Sequence, residues 1–436
     1  MDTPLDLAGI GAGPFNLAVA ALLHRQPLAY CFFDRKPSHS WHPGLMLPGA
    51  ELQTSFLKDL VTPVDPTNPH SFLAYLVARR RFYDFLNADQ KAVGRREFAD
   101  YLGWVAGQLV DSNRLQMGSD VQEVRDRGDF FELELEVSGA RKTVPTRNLC
   151  IAAGKEAYVP DCARPLLSDH CFHALETGLR QPKVEGRRVA VVGGGQTGAE
   201  LVLNLLDGHW GKPQQVQWVS RRQNFLPLDE SPFTNAWFTP DYVHVFHRLP
   251  ALRREGLVEA QKLASDGIST TTLKALYQRF YQLVHLDGEG DRIVLLPGRE
   301  LRDISRTGSY ELGMFNSHAG ELESCRADLI ILCTGLREML PDCLSTLRDR
   351  FAMDGRGRLV LSADFAADLQ DAGERQVYVL GSGRYTHGIA EPQLSLAAWR
   401  AARVINDLMN RRIYDTGQAG GILQWSTREE MVSAVA

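Results

Sequence analysis

Short apolar runs that end in glycine-rich turns recur along this chain, and each opens a stretch with apolar residues at helical spacing. Val189 to Val192 leads into Gly193-x-Gly195-x-x-Gly198; Ala199, Val202, Leu203 and Leu206 then fall on one helix face, and Val216, Trp218 and Val219 form a second run. The order predicted is strand, tight turn, helix, strand. The N-terminus repeats it: Leu5 to Gly11, the turn Gly11-Ala12-Gly13-Pro14-Phe15-Asn16, the apolar helix LAVAALL, and a strand from Tyr30 to Phe33. Later runs close each unit, Leu149 to Gly154 for the first and Leu329 to Gly335 for the second. A further run, Val377 to Gly383, precedes a last amphipathic helix marked by Leu394, Ala398, Ala401, Ile405 and Leu408. Between the units, Phe98, Tyr101, Leu102, Val105 and Leu109 predict a helix over 96–109, while Phe131, Leu133, Leu135 and Val137 alternate as a strand does. From Phe225 to His285 the rhythm breaks. LPLDESPFTNAWFTPDY reads as loop, and Leu273, Leu276, Tyr277, Phe280 and Val284 mark one amphipathic helix after it.

The turns carry the candidate chemistry. In the central unit, Gly193 permits the tight turn, Gly195 lets backbone approach a pyrophosphate, and Gly198 lets the helix pack closely on the strand; Gln196 lies within the same turn. Ser220, Arg221 and Arg222 follow the second strand where an acid would meet an NAD ribose, and they suit a 2′-phosphate, so the nucleotide expected is NADPH. The bland alternative is a solvated strand end. In the N-terminal unit Asn16 replaces the third glycine, and Asp34 closes the second strand at the distance of a ribose-gripping carboxylate, about 20 residues on. Acid in one place and arginines in the other imply two different nucleotides. The fold expected is α/β, with two Rossmann-like dinucleotide-binding domains and a smaller, mostly helical substrate-binding region. Residues 1–160 and 370–415 would form an FAD-binding domain, 161–345 an NADPH-binding domain, and 225–285 the inserted substrate-binding region.

Composition narrows the class without changing it. The 436 residues are 44% hydrophobic and 23% charged, ordinary for a soluble globular chain of two or three domains. A net charge of -5 gives no electrostatic reason to expect nucleic acid, and Arg79 to Arg81 read as a solvated helix face. The seven cysteines are scattered without a C-x-x-C, which argues against a zinc framework or a dithiol reductase and points to a reducing cytoplasm. No run approaches the length of a membrane span.

Motifs outside the turns are more specific. GAGPFNLA at 11–18, SWHPG at 40–44, LQTSFLKDLVTPVDPTNPHSFLAYL at 52–76, VVGGGQTGAE at 191–200, DESPFTNAWF at 229–238, SDGIS at 265–269 and THGIAEPQLS at 386–395 resemble the microbial flavin-dependent N-hydroxylases of siderophore biosynthesis, the lysine and ornithine monooxygenase family. The resemblance spans nearly the whole chain. It implies FAD, NADPH and O₂ as reactants and hydroxylation of the terminal primary amine of a small aliphatic substrate through a C4a-hydroperoxyflavin. By motif, Lys58 would face the substrate and anchor a carboxylate, and Asn235 would lie between substrate and nicotinamide ribose. Gly11, Gly13, Pro14, Asn16 and Asp34 would hold FAD, with Trp41, His42, Gln53 and His387 around the flavin. Each has a plainer alternative: Lys58 as a surface lysine beside Asp59, Trp41 as core, His387 satisfying backbone groups, and Glu391 as a cap on the final helix. Gly267 and the Ile389-to-Gln393 segment depart from the ornithine pattern toward the lysine and diamine branch. Lysine would want Lys58 for its carboxylate, whereas putrescine or cadaverine would want an acid for the second ammonium, such as Glu391 or Asp59. L-Ornithine N5-hydroxylation and a broader flavin-containing amine or sulfide monooxygenase remain the competing enzymes, and a non-catalytic flavin-holding protein the competing class. The resemblance also makes a tetramer or dimer the expected assembly.

Overall fold

The computed structural model describes residues 3–52, 55–89, 92–417 and 421–425. The first sheet begins with β1 (Leu5–Ile10) and β2 (Tyr30–Asp34), joined by α1 (Pro14–Leu22). Both strands are buried on two faces, which is why they read as continuous apolar runs. The chain then forms α2 (Phe72–Ala78), α3 (Phe82–Asn87) and α4 (Arg95–Asp111) before β3 (Leu115–Met117), β4 (Ser119–Asp126), β5 (Phe131–Val137) and β6 (Ala140–Ile151). Arg79 to Arg81 do not form a helix face. They make the break between α2 and α3, where Arg80 has φ +57 and Arg79 and Arg81 pair with Asp100 and Glu97.

Beyond β7 (Glu156–Ala157) the second sheet assembles from β8 (Cys171–His173), β9 (Arg188–Val192), β10 (Gln215–Ser220) and β11 (Ile293–Pro297), with α5 (Thr177–Arg180) after β8 and α6 (Gln196–Leu206) after β9. The stretch between β10 and β11 is more helical than its loop-like sequence suggests. It holds α7 (Pro240–Arg248), α8 (Ala251–Ala260), α9 (Lys262–Asp266) and α10 (Thr270–Tyr281), and α7 starts on proline, which costs a first-turn residue nothing. A three-stranded antiparallel meander follows, β12 (Arg299–Thr307), β13 (Ser309–Asn316) and β14 (Glu321–Ala327), then β15 (Leu329–Leu332) and β16 (Leu336–Arg337). The chain ends with β17 (Val377–Val379), α11 (Arg384–His387) and α12 (Ala397–Leu408).

In the first sheet the order is β3-β2-β1-β6-β5-β4, with β17 also on β6. The long β6 makes this possible: its first half runs antiparallel to β5, Val137 opposite Ala140, and its end runs parallel to β1 and to β17, with Ile10 and Val379 both opposite Ile151. Both ends of the chain therefore build one sheet. The second sheet, order β11-β10-β9-β15-β8, is wholly parallel. Each sheet is covered on both faces. In the first, Leu17, Tyr101 and Ile405 pack on one side and Leu133, Leu135 and Leu344 on the other. In the second, Val202, Leu205 and Leu276 cover one side and Tyr310, Leu312 and Met314 of the meander the other. The glycine turns lie at the carboxyl ends of β1 and β9, where open α/β sheets bind ligands.

Candidate active site

The N-terminal turn leaves helix α1 without a side-chain cap: its N-cap is Gly13 and Pro14 opens the first turn, so the amides that follow are not taken by a capping side chain. Asp34 reaches across and accepts Ala12 N–H at 2.7 Å and Lys36 N–H at 2.9 Å, fixing the turn to the end of β2. Asn16 is fully buried and bonded to the backbone around the turn. Its Nδ2 donates to the carbonyls of Ile10 at 3.0 Å and Gly11 at 2.8 Å, and its Oδ1 accepts from Cys150 Sγ at 3.2 Å, so it staples the turn to β1 and β6.

The central turn is tighter. Gly193 has φ +139, and a Cβ there would stand 2.0 Å from Cys333 O; one on Gly198 would stand 2.2 Å from Gly193 O. Nothing lies within 4 Å of a Cβ on Gly195, which leaves room above the backbone for a phosphate, and α6 has no side-chain cap. Trp218 donates its Nε1–H to Gly193 O at 2.9 Å and stacks on Phe225 at 3.8 Å. Ser220 is buried beneath Gly194 and accepts Arg222 N–H at 3.2 Å. Arg222 turns back on the loop, donating to Gly194 O at 3.3 Å, while Arg221 is exposed. Gln196 links α6 to α10, bonding Glu200, Thr272 and Ser269 N–H at 2.8 to 3.1 Å.

A cavity of about 480 Å³ opens beside the N-terminal turn, within the range of small-molecule sites. Gly13, Pro14, Trp41, His42, Lys58 and Asn235 all line it, so residues far apart in sequence come together on one wall. Trp41 packs edge-on against Phe98 at 5.7 Å. His42 takes a left-handed backbone, φ 44, and burial lowers its pKa to about 4, so it faces the cavity uncharged. Burial also lowers the pKa of Lys58; no ion pair or side-chain hydrogen bond reaches its ammonium among the described residues. Gln53 lies outside the described residues.

Glu391 and His387 are not brought to the cavity wall. Glu391 is 1% exposed; its Oε1 accepts Gly381 N–H at 2.6 Å and its Oε2 Gly383 N–H at 3.0 Å, and Arg400, itself 1% exposed, stands 3.5 Å away. The carboxylate thus holds the turn after β17 and does not stand ready for a substrate ammonium. His387 is buried behind that turn, stacked on Phe365 at 4.1 Å and bonded to Thr386 Oγ1 at 2.8 Å. Asp59 is also closed off, accepting the amides of Val61, Thr62 and Phe72 at 2.6 to 2.9 Å. Sequence reasoning missed four charged residues of the wall, Glu51, Arg95, Lys155 and Glu230. Arg95 opens α4, a helix recognisable from its apolar face alone, so the polar residue at its start gave no separate signal.

Two uncapped helix starts behind glycine turns, each at the carboxyl end of a parallel strand pair and on a different sheet, with a small-molecule cavity beside one of them, define a two-nucleotide redox enzyme of the flavoprotein type. The model of the family L-lysine 6-monooxygenase/L-ornithine 5-monooxygenase matches residues 3–338, and the chain belongs to that family. It is 39% identical to the L-lysine N6-monooxygenase of Escherichia coli, over 98% of this chain and 99% of that one. Its fold superposes on the FAD-bound cadaverine monooxygenase of the desferrioxamine pathway of Erwinia amylovora with a TM-score of 0.91 at 28% identity, covering 98% of this chain and 99% of that one. On the Kutzneria ornithine N-hydroxylase, solved with reduced FAD, NADP⁺ and L-ornithine, the TM-score is 0.86 at 27% identity, covering 94% and 99%. The protein is thus an FAD- and NADPH-dependent N-hydroxylating monooxygenase. No helix among the described residues is long and apolar enough to cross a membrane.

Proposed function

We propose that this enzyme hydroxylates the side-chain amine of L-lysine, as a step toward a hydroxamate siderophore. The carrying observation is the charge inventory of the cavity: Lys58 presents a half-buried ammonium without a partner among the described residues, while Asp59 and Glu391 are both engaged with backbone amides. An unpaired cation in a small cavity asks for an anion, and lysine brings a carboxylate where a diamine brings none. Gly267 supports the same branch over ornithine. A Cβ there would meet Leu228 Cα at 2.3 Å, so the asparagine found near this position in ornithine-type members has no room.

In this reading Gly11, Gly13 and Pro14 would hold the FAD pyrophosphate, Asp34 the adenosine ribose, and Trp41 and His42 the isoalloxazine. The uncapped start of α1 fits that group, as the open backbone at Gly195 fits a second pyrophosphate. NADPH would lie on Gly193, Gly195 and Gly198, its 2′-phosphate within reach of Ser220, Arg221 and Arg222. The FAD domain would be built from both ends of the chain and the NADPH domain from its middle. FAD, once reduced by NADPH, supplies the activated oxygen. The chain would supply position and desolvation: Lys58 would hold the carboxylate, Asn235 on the cavity wall would face the nicotinamide side, and the partly apolar wall would disfavour the substrate ammonium, leaving the amine lone pair free to react. His42 stays neutral and adds no repelling charge.

Glu51 and Glu230 on the wall favour a second reading, in which one of them takes the far ammonium of cadaverine or putrescine. Hydroxylated product per NADPH, measured with lysine, ornithine, cadaverine and putrescine, separates them. Lysine should lead, and Lys58→Met should lower kcat/KM for lysine by about tenfold to a hundredfold while changing cadaverine little. A diamine preference unaffected by Lys58→Met would overturn the lysine assignment.

A further inference from the structure

The chain passes between the two sheets at two places, and the two crossings pair with each other. β7 and β16 run antiparallel, Glu156 opposite Arg337 and Ala157 opposite Leu336. Glycines with positive φ flank the ladder at each sheet's exit, Gly154 at +87 and Gly335 at +89. Tyr158 N–H donates to Gly335 O at 2.9 Å and His173 Nε2 lies 3.1 Å from the same oxygen, so the second domain grips the ladder from its own side.

Strand alternation sorts the ladder's side chains. Lys155 and Leu336 share one face, and both line the cavity. Glu156 and Arg337 point to the other face, paired at 3.2 Å with side chains 51% and 44% exposed. Lys155 pairs with Glu338 at 3.3 Å, and here the exposures are only 22% and 25%. Burial pushes the Glu338 carboxyl up and Lys155 pulls it back, so its charge depends on that lysine. A cation and an anion from the two crossing strands thus meet at the edge of the reaction cavity.

We propose that Lys155 and Glu338 are positioning residues for the hydroxylation: their ion pair fixes the angle at which the two nucleotide domains meet, and so the fit of nicotinamide over the cavity. Lys155 lines the cavity, but the role assigned to the pair is exerted through the ladder and not through a bond to the reacting atoms. Losing it loosens closure, lets water into the site, and diverts NADPH oxidation from hydroxylated amine to peroxide. The inference uses the FAD and NADPH placement above but not the identity of the amine.

The test uses the holoenzyme with whichever amine of the panel is best coupled, so that a failed lysine assignment and a failed hinge assignment give different results. Lys155→Met and Glu338→Gln should each lower hydroxylated product per NADPH by about fivefold and raise the KM for NADPH more than they change kcat. Glu156→Gln, on the ladder's other face, should keep the parent ratio. The reversed pair Lys155→Glu/Glu338→Lys should recover most of the loss, which a lysine needed for its own contact with a ligand would not allow. If Lys155→Met fails to fold, Glu338→Gln, nearly isosteric, carries the comparison. Parent coupling in Glu338→Gln, equal damage from Glu156→Gln, or no recovery in the reversed pair would each overturn the proposal.

Discussion

Glu391 gives the sharpest stability test, because the sequence suggests a substrate ligand and the structure shows a buried brace. Replacing it with alanine removes both acceptors from Gly381 and Gly383 and leaves Arg400 with its charge uncompensated at 1% exposure, over Phe15 at 4.2 Å and, among the described residues, hydrogen-bonded only to Gln393 O at 2.8 Å. Deleting one partner of a buried pair costs about 3 to 5 kcal/mol, since the survivor keeps its desolvation penalty without its counter-charge. For a chain of this size that is a fall of about 4 °C in melting temperature. Glu391→Gln keeps one carbonyl acceptor and should fall between parent and alanine. Phe15 and Gly381 both line the cavity, so flavin retention should weaken along with stability. Thermal melts followed by flavin fluorescence give both quantities, and steady-state rates on the folded fraction give the KM for the amine, which should stay within about twofold of parent because no contact with substrate is lost. An unchanged melt together with a raised amine KM would refute the brace and return Glu391 to the substrate.

Other outcomes follow from the same geometry. Arg222→Ala should raise the KM for NADPH by about tenfold or more and leave NADH use nearly unchanged, as paired initial-rate measurements would show. Gly198→Ala should abolish flavin reduction by NADPH while FAD stays bound, since its methyl would stand 2.2 Å from Gly193 O; a reducible yellow variant would contradict this. Burial lowers His70, 7% exposed, to about 4. Below the ordinary histidine pKa of about 6.5 the unfolded chain takes a proton there that the native state refuses, so stability should fall with pH between about 6.5 and 4, by up to about 1.4 kcal/mol per pH unit from this histidine. Urea midpoints at pH 7 and pH 5 measure the slope, which His70→Gln should reduce; an identical slope in the variant would count against it.

The two-sheet plan was legible because doubly buried strands leave continuous apolar runs and nucleotide turns leave spaced glycines; β1, β9 and their helices fell where those patterns ended. The convergence of Trp41, His42, Lys58 and Asn235 on one cavity was legible only through motifs, since nothing in local spacing brings residue 58 to residue 235. Asn16 and Glu391 both turn to backbone partners that their motifs did not announce, for one reason. A polar side chain looks the same in sequence whether it meets a ligand or a backbone amide, and here the fold delivers Ile10 O to one and Gly381 N–H to the other. Helices α7 and α8 escaped notice because prolines and aromatics crowd their flanks, and the meander β12 to β14 because its outer strands are largely exposed and lack an apolar run.

The loop that carries Lys58 is knotted in place by its neighbour, Asp59, whose carboxylate gathers amides from both Val61 and the start of α2. With Lys58 holding the substrate as proposed, anchoring and recognition would be divided between two adjacent codons. Position 58 could then be rewritten for a different head group while position 59 keeps the wall standing, so a change of diet for this enzyme would begin with a single replacement and leave its scaffold untouched.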